Sequence, residues 1–137
     1  MADGVAFLAT ANIGSQFSGT YRFDEAIVSR FPYRCEVNFL EEEQEAKMLQ
    51  ARCSNSEEDS VLLARVASTL RAKSSGFGGT LTRLVSTRQL IATASLMSSG
   101  IPMTEALDAT VVPAFDSEGG TDSERAQVLQ SIQMICG

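Results

Sequence analysis

Residues 7–14, FLATANIG, and residues 19–31, GTYRFDEAIVSRF, decide the fold that the sequence predicts. The first stretch starts as a short apolar run and reaches Asn12. A loop containing glycine then leads to a helix-like segment that ends at Arg30. Continuous apolar character is typical of a strand that is buried on both faces in a parallel sheet. This order places an amide at the end of a buried strand and a guanidinium one element later, and both groups suit contact with a phosphate charge.

The first 40 residues predict a small α/β part. Residues 4–11 form the first candidate strand, and residues 35–40 alternate partly between apolar and polar side chains, as a second strand would. Between them, residues 23–29 predict a short helix with Ala26 and Ile27 on its inner face, and Pro32 prevents it from continuing. Two strands form a marginal sheet by themselves, and a parallel neighbour needs a long crossover.

Residues 41–137 predict four to five helices, because their apolar side chains recur at helical spacing. Ser56 and Ser86 are suited to cap two of these helices, and Thr121 with Glu124 forms a capping-box pattern before the last one. The expected fold class is therefore α+β and predominantly helical, with an α/β part over residues 1–40 and a helical subdomain over residues 41–137. The residues expected to be buried in the helices are Ala46, Leu49, Cys53, Leu63, Val66, Ala67, Leu70, Leu90, Ile91, Ala94, Met97, Val128, Leu129, Ile132 and Ile135.

Composition excludes several classes of site within this sequence. The 137 residues contain no histidine and three widely spaced cysteines, which argues against a zinc site and rules out a Ser-His-Asp or Cys-His nucleophile. The acidic run Glu41 to Glu43 indicates a solvated helix start rather than a metal site. The glycine-rich residues 74–79 lack the Gly-Lys-Ser/Thr ending of a phosphate-binding loop, so they predict a helix end and a connection.

Charge and hydropathy bear on partners and location. The net charge is −6 and no basic stripe is visible, so direct binding of nucleic acid is not expected. No apolar run approaches the roughly 20 residues of a membrane helix, and the N-terminus lacks the basic start of a signal peptide, so the expected location is cytoplasmic. Nine arginines accompany two lysines. Either phosphate or carboxylate contacts or a genomic composition bias explains this preference.

Arg88 occupies an unusual position, because it lies in the first turn of the helix that Ser86 caps. A helix N-terminus disfavours a cation by several tenths of a kcal/mol, roughly, which a solvated arginine tolerates. Either Arg88 is solvated, or it faces an anion that another part of the protein supplies.

The segments that carry these polar groups resemble AAA+ ATPases of the MoxR-type and cobaltochelatase-small-subunit-type group. The matching segments are LATAN at residues 8–12, Gly19-Thr20, DEAIVSRF at residues 24–31, and LVSTRQLI at residues 84–91. The resemblance covers about residues 5 to 112 and implies a role for three residues. Asn12 would be the sensor-1 residue, Arg30 the arginine finger that reaches a neighbouring subunit's nucleotide, and Arg88 the sensor-2 residue of the lid.

The same resemblance implies the C-terminal half of a AAA+ module in an oligomeric remodelling machine. ATP and Mg²⁺ would be cofactors of the complete module, with Asn12 and Arg30 serving catalysis and Asn12 and Arg88 contacting the nucleotide. The sequence contains no Gly-x-x-x-x-Gly-Lys-Ser/Thr loop and no apolar run ending in Asp-Glu. This chain alone is therefore expected to bind no nucleotide tightly, to hold no metal and to be inactive.

The expected partners follow from the same reasoning. They are the missing N-terminal half of the module or neighbouring AAA+ subunits, which the resemblance implies form a hexameric ring. The client of the machine is not specified by the sequence. The alternative is a non-catalytic helical module for protein interaction, in which residues 41–137 are the functional unit.

Overall fold

Six α-helices and two short 3₁₀ helices are the regular secondary structure of the computed structural model, which describes residues 4, 6–11, 25–74 and 79–137. The α-helices are α1 (Glu25–Val28), α2 (Glu42–Cys53), α3 (Glu57–Ser74), α4 (Thr87–Ser98), α5 (Met103–Thr110) and α6 (Glu124–Cys136), and the 3₁₀ helices are Val112–Ala114 and Gly120–Asp122. None of these helices combines the length and apolar character that crossing a bilayer requires. The chain divides into two units, Met1–Val37 and Asn38–Gly137.

The first unit contains α1, which forms within the segment predicted to be helical. The helix spans four residues and ends in a turn in which the Arg30 N–H donates to the Ile27 carbonyl at 3.1 Å. The sequence placed Ala26 and Ile27 on a buried face, but both side chains are exposed in this unit. The prediction of an inner face is therefore wrong for the described residues of α1.

The two predicted strands are not seen. Residues 6–11 have no regular secondary structure, and residues 31–41 run as a continuous stretch without helix or strand. A strand exists only where a neighbour accepts and donates the ladder hydrogen bonds, and no such neighbour occurs in the parts of the chain that the structure describes. The structure thus confirms the predominantly helical character and corrects the expected two-stranded α/β part.

The second unit is built around the apolar stripes that the sequence predicted. Most of the expected core positions are fully or largely buried, because α2, α3, α4 and α6 turn these stripes toward one another. Phe115, which follows the first 3₁₀ helix, adds a buried ring that periodicity did not indicate. The buried core consists of Leu49, Cys53, Leu63, Val66, Ala67, Leu70, Leu81, Val85, Leu90, Ala94, Leu107, Val111, Val112, Phe115, Val128 and Ile132.

A connecting segment, residues 79–86, leads from α3 to α4 and is fixed at both ends. Its start packs on the end of α3, where the Thr80 N–H donates to the Lys73 carbonyl at 3.0 Å. A Cβ on Gly79 would stand 3.0 Å from the same carbonyl oxygen, so a larger residue here would need the end of α3 to shift by a few tenths of an ångström. Further along, the Thr82 N–H and hydroxyl both donate to the carboxylate of Glu124 in α6.

The start of α6 differs from the capping box that the sequence predicted. Thr121 lies inside the second 3₁₀ helix, and Ser123 is the N-cap, with its hydroxyl accepting from the Ala126 N–H at 3.2 Å. Glu124 binds Thr82 in the connecting segment instead of closing a capping box. Leu129 was also expected in the core and is 41% exposed.

We expect Ser123→Ala to lower the free energy of unfolding by about 1 kcal/mol, because it removes the hydroxyl that satisfies a free N–H of α6. Thr121→Ala is the matched control, and its effect should be within about 0.5 kcal/mol because its side chain is exposed outside the helix. Urea denaturation followed by circular dichroism measures both. A larger loss of unfolding free energy for Thr121→Ala than for Ser123→Ala would contradict this assignment and favour Thr121 as the N-cap.

Candidate functional site

The three residues predicted to serve a nucleotide fall in different parts of the chain. Asn12 lies outside the described residues. Arg30 belongs to the first unit and is exposed in the turn after α1, whereas Arg88 belongs to the second unit and is exposed in the first turn of α4. Within the described residues, neither guanidinium has a hydrogen-bond or ion-pair partner.

The backbone that presents Arg88 is strongly ordered by local hydrogen bonds. Ser86 and Gln89 form a complete capping box: the Gln89 N–H donates to the Ser86 hydroxyl at 3.3 Å, and the Ser86 N–H donates to Gln89 Oε1 at 2.9 Å. The side-chain Nε2 of Gln89 also donates to the Thr110 carbonyl at 3.3 Å, which joins the start of α4 to the end of α5. The position of Arg88 is therefore defined although its side chain is exposed.

A buried ion pair between α2 and α3 lies next to this helix end. Arg71 Nη1 is 2.6 Å from Glu45 Oε2 and Nη2 is 3.0 Å from Oε1, so the pair is bidentate. Glu45 is 1% exposed and Arg71 is 7% exposed. Two charges this deeply buried must satisfy each other and their remaining hydrogen-bonding sites within the protein.

The remaining bonds of the pair go to the residues around Ser86. Arg71 Nε donates to the Val85 carbonyl at 2.8 Å, and the Thr87 hydroxyl donates to Glu45 Oε1 at 3.0 Å. The residues immediately before and after the N-cap are thus both held by the same ion pair. Arg88 follows directly, so the pair fixes the backbone from which it projects.

One face of the Arg71 guanidinium lies against an aromatic ring. Its Cζ atom lies 3.9 Å from the ring centroid of Phe39, a residue of the stretch without helix or strand that precedes α2. This distance is typical of a cation–π contact. Phe39 itself remains 44% exposed, whereas the two charged side chains beneath it are buried.

Sequence reasoning did not identify Glu45, Arg71 or Phe39 as part of the site, although a signal was present. Glu45 adjoins Ala46 and lies one helical turn before Leu49, and Arg71 lies one turn after Ala67, so both charges fall on apolar stripes. Opposite charges on the buried faces of two neighbouring helices indicate an internal ion pair, because neither would be stable there alone. No group of three or more potential metal-ligating side chains converges within the described ranges.

We expect Glu45→Ala to lower the free energy of unfolding by about 3–5 kcal/mol, because Arg71 would be left as an unpaired buried charge. The matched control is Glu42→Ala, which breaks the half-exposed α2–α3 pair of Glu42 with Arg65 (3.2 Å). That control should cost about 1 kcal/mol or less. Urea unfolding of the three proteins measures the difference, and equal small losses would show that the buried pair contributes no more than an exposed one.

Comparison with known proteins gives the family of this arrangement. Residues 45–134 match the family model described as CbbQ/NirQ/NorQ C-terminal, which is most of the second unit. The chain is also 32% identical over 111 residues to a protein of Thauera aromatica named "Putative chaperone BssE". That alignment covers 81% of this chain and 37% of the relative, so the chain spans little more than a third of its length.

The match begins at Glu45 and includes Arg71, the capped start of α4 and Arg88. It confirms the resemblance to MoxR-type AAA+ proteins. Of the three nucleotide-directed residues only Arg88 lies within the matched range, and the roles of all three stay predictions. The chain belongs to the CbbQ/NirQ/NorQ C-terminal family, the C-terminal lid of MoxR-type AAA+ proteins.

Proposed function

We propose that this chain contributes the helical lid and the phosphate-directed arginines of a AAA+ ATPase module that works as an oligomer. The observation that carries the proposal is Arg88: its guanidinium lacks a partner among the described residues, yet a capping box and a buried ion pair hold its backbone. A cation in the first turn of a helix is disfavoured there, and a bound anion removes that cost. A nucleotide phosphate is the anion that the family membership supports.

Each of the three residues then has a distinct task. Asn12 orients the attacking water or contacts the terminal phosphate through its amide, as a sensor-1 residue. Arg30 stabilises the charge that develops on the transferred phosphoryl group of a neighbouring subunit's ATP. Arg88 contacts the phosphates from the lid, so that the position of α4 depends on which nucleotide is bound.

The proposed module needs groups that this sequence does not contain. The 137 residues include no phosphate-binding loop and no apolar strand that ends in the acidic residues needed to bind Mg²⁺. In the proposal these come from residues outside this sequence, in the same subunit, and Arg30 acts across a subunit boundary. A ring of identical subunits, with six as the expected number, provides such a boundary at every site.

Exposure of Arg30 supports a contact in trans. The residue lies in a turn after α1, and the neighbouring Pro32 cannot continue the helix. Nearby, Arg34 Nη2 donates to the Val28 carbonyl at 3.5 Å, so this arginine is bound to the end of α1 whereas Arg30 remains available. A finger residue needs this availability, because its anion arrives with another subunit.

We expect Arg30→Ala to reduce kcat for ATP hydrolysis about 10³–10⁵-fold in the assembled module, because an arginine finger stabilises the transition state by that factor. ATP binding measured by calorimetry should change little. Arg34→Ala is the matched control, since it lies on the same segment and is already bound to a carbonyl. A wild-type kcat for Arg30→Ala would contradict the arginine-finger role of Arg30.

We expect Arg88→Ala to weaken ATP binding by the same module at least tenfold, because it loses a charge-assisted contact worth about 1.5–3 kcal/mol. Arg52→Ala is its control: Arg52 is also exposed and unpartnered within the described ranges, but lies in the last turn of α2, where a cation is favoured. Equal affinity of wild type and Arg88→Ala would contradict the sensor-2 role.

A second candidate is a non-catalytic helical interaction module. It is favoured by the outer surface of α6, where Leu129 is 41% and Met134 is 79% exposed. In this case a partner protein recovered with the chain would bind Arg30→Ala and Arg88→Ala equally well, and Leu129→Ser would weaken its binding.

A further inference from the structure

We infer that Arg71 is a positioning residue for Arg88, and that through Phe39 it connects the start of α4 to the stretch that precedes α2. The consequence for nucleotide binding rests on the role proposed above for Arg88. The connection itself is a property of residues 38–90 and does not depend on that role.

One guanidinium joins four parts of the helical unit. Arg71 extends from α3, its two terminal nitrogens bind Glu45 in α2, and its Nε binds the Val85 carbonyl in the connecting segment. Its face contacts Phe39. Because the guanidinium is planar with donors in a fixed fork, these four contacts restrict one another's directions.

The ion pair also contacts both residues that flank the N-cap of α4. Val85 directly precedes the N-cap, and Thr87 binds the other partner of the pair. A shift of the guanidinium must therefore move or break a contact on each side of Ser86. The direction in which α4 begins, and with it the position of Arg88, follows the geometry of the pair.

Phe39 links the ion pair to the part of the chain that precedes α2. The ring covers the guanidinium, and a cation–π contact of this kind is worth about 0.5–2 kcal/mol. Displacement of Phe39 by a movement of the stretch before α2 would hydrate the Arg71 face and weaken its bonds to Glu45 and Val85. Movement at Phe39 and movement at Arg88 are thus coupled through one buried group.

A purely structural role would not require this chemistry. Well-packed apolar side chains of similar volume often replace a buried ion pair without loss of stability. An apolar pair would offer no directional contact to the Val85 carbonyl or the Thr87 hydroxyl, and it would leave both groups without their present partners. The distinguishing property of Arg71 is therefore control of direction at the start of α4.

Hydrogen exchange on this chain tests the connection. Arg71→Lys retains the charge but cannot reproduce the fork, and it should accelerate exchange of the Ser86, Gln89 and Leu90 amides about tenfold or more, relative to wild type. Phe39→Leu should accelerate the same amides in the same direction, by a smaller factor. Arg65→Lys, on the exposed α2–α3 pair, is the control and should leave them within about twofold.

The pattern along the chain separates positioning from general stability. Acceleration confined to the start of α4, with α6 amides changed much less, supports the inference. A uniform change in every slow amide of the second unit would show that Arg71 contributes only stability. Unchanged exchange at Ser86, Gln89 and Leu90 in Arg71→Lys would also overturn the inference.

A double-mutant cycle in the assembled module tests the consequence for the nucleotide, with ATP as the probe. Arg71→Lys should weaken ATP binding about tenfold when Arg88 is present and less than about twofold in the Arg88→Ala background. Additive effects would overturn the positioning role. If Arg88→Ala alone leaves ATP binding unchanged, the proposed function fails, and the exchange experiment still decides the connection by itself.

Discussion

The bidentate pair of Glu45 with Arg71 is the contact on which the arrangement of the helical unit depends. Burial of both charges imposes a strict condition, since each must have its hydrogen-bonding sites filled or the unit loses several kcal/mol, roughly. The structure meets that condition with groups from four consecutive parts of the chain: the stretch before α2, α2 itself, α3 and the entry to α4. None of the buried side-chain polar atoms in the described residues lacks a partner.

The helices could be predicted from the sequence because their information is local. Apolar side chains at helical spacing, together with Ser56 and Ser86 at the helix starts, identified α2, α3 and α4 nearly to their ends. The Asp59 N–H indeed donates to the Ser56 hydroxyl at 3.0 Å. Tertiary contacts decided the cases that failed. The sequence pattern pairs Glu124 with Thr121 in a capping box. In the structure the Glu124 carboxylate instead accepts hydrogen bonds from Thr82.

The two strands were predicted wrongly and the ion pair was not predicted, because both depend on partners distant in sequence. The pattern of an apolar or alternating stretch specifies which faces it can bury, but the stretch becomes a strand only when a neighbouring strand pairs with it. Glu45 and Arg71 are 26 residues apart, and local patterning cannot state that they meet. The sequence therefore singled out exposed side chains, Arg30 and Arg88, whose roles stay predictions, and it missed the buried pair that binds the residues on either side of Ser86.

The contact of Glu124 with Thr82 has a consequence for the order of folding during synthesis. The two residues are 42 positions apart, so α2, α3 and α4 leave the ribosome well before the carboxylate that anchors the connecting segment. Until α6 docks, the segment between α3 and α4 is held by the Lys73 carbonyl at one end and by Arg71 at the other. The connecting segment therefore gains its last anchor only when the most distant helix, α6, has been made.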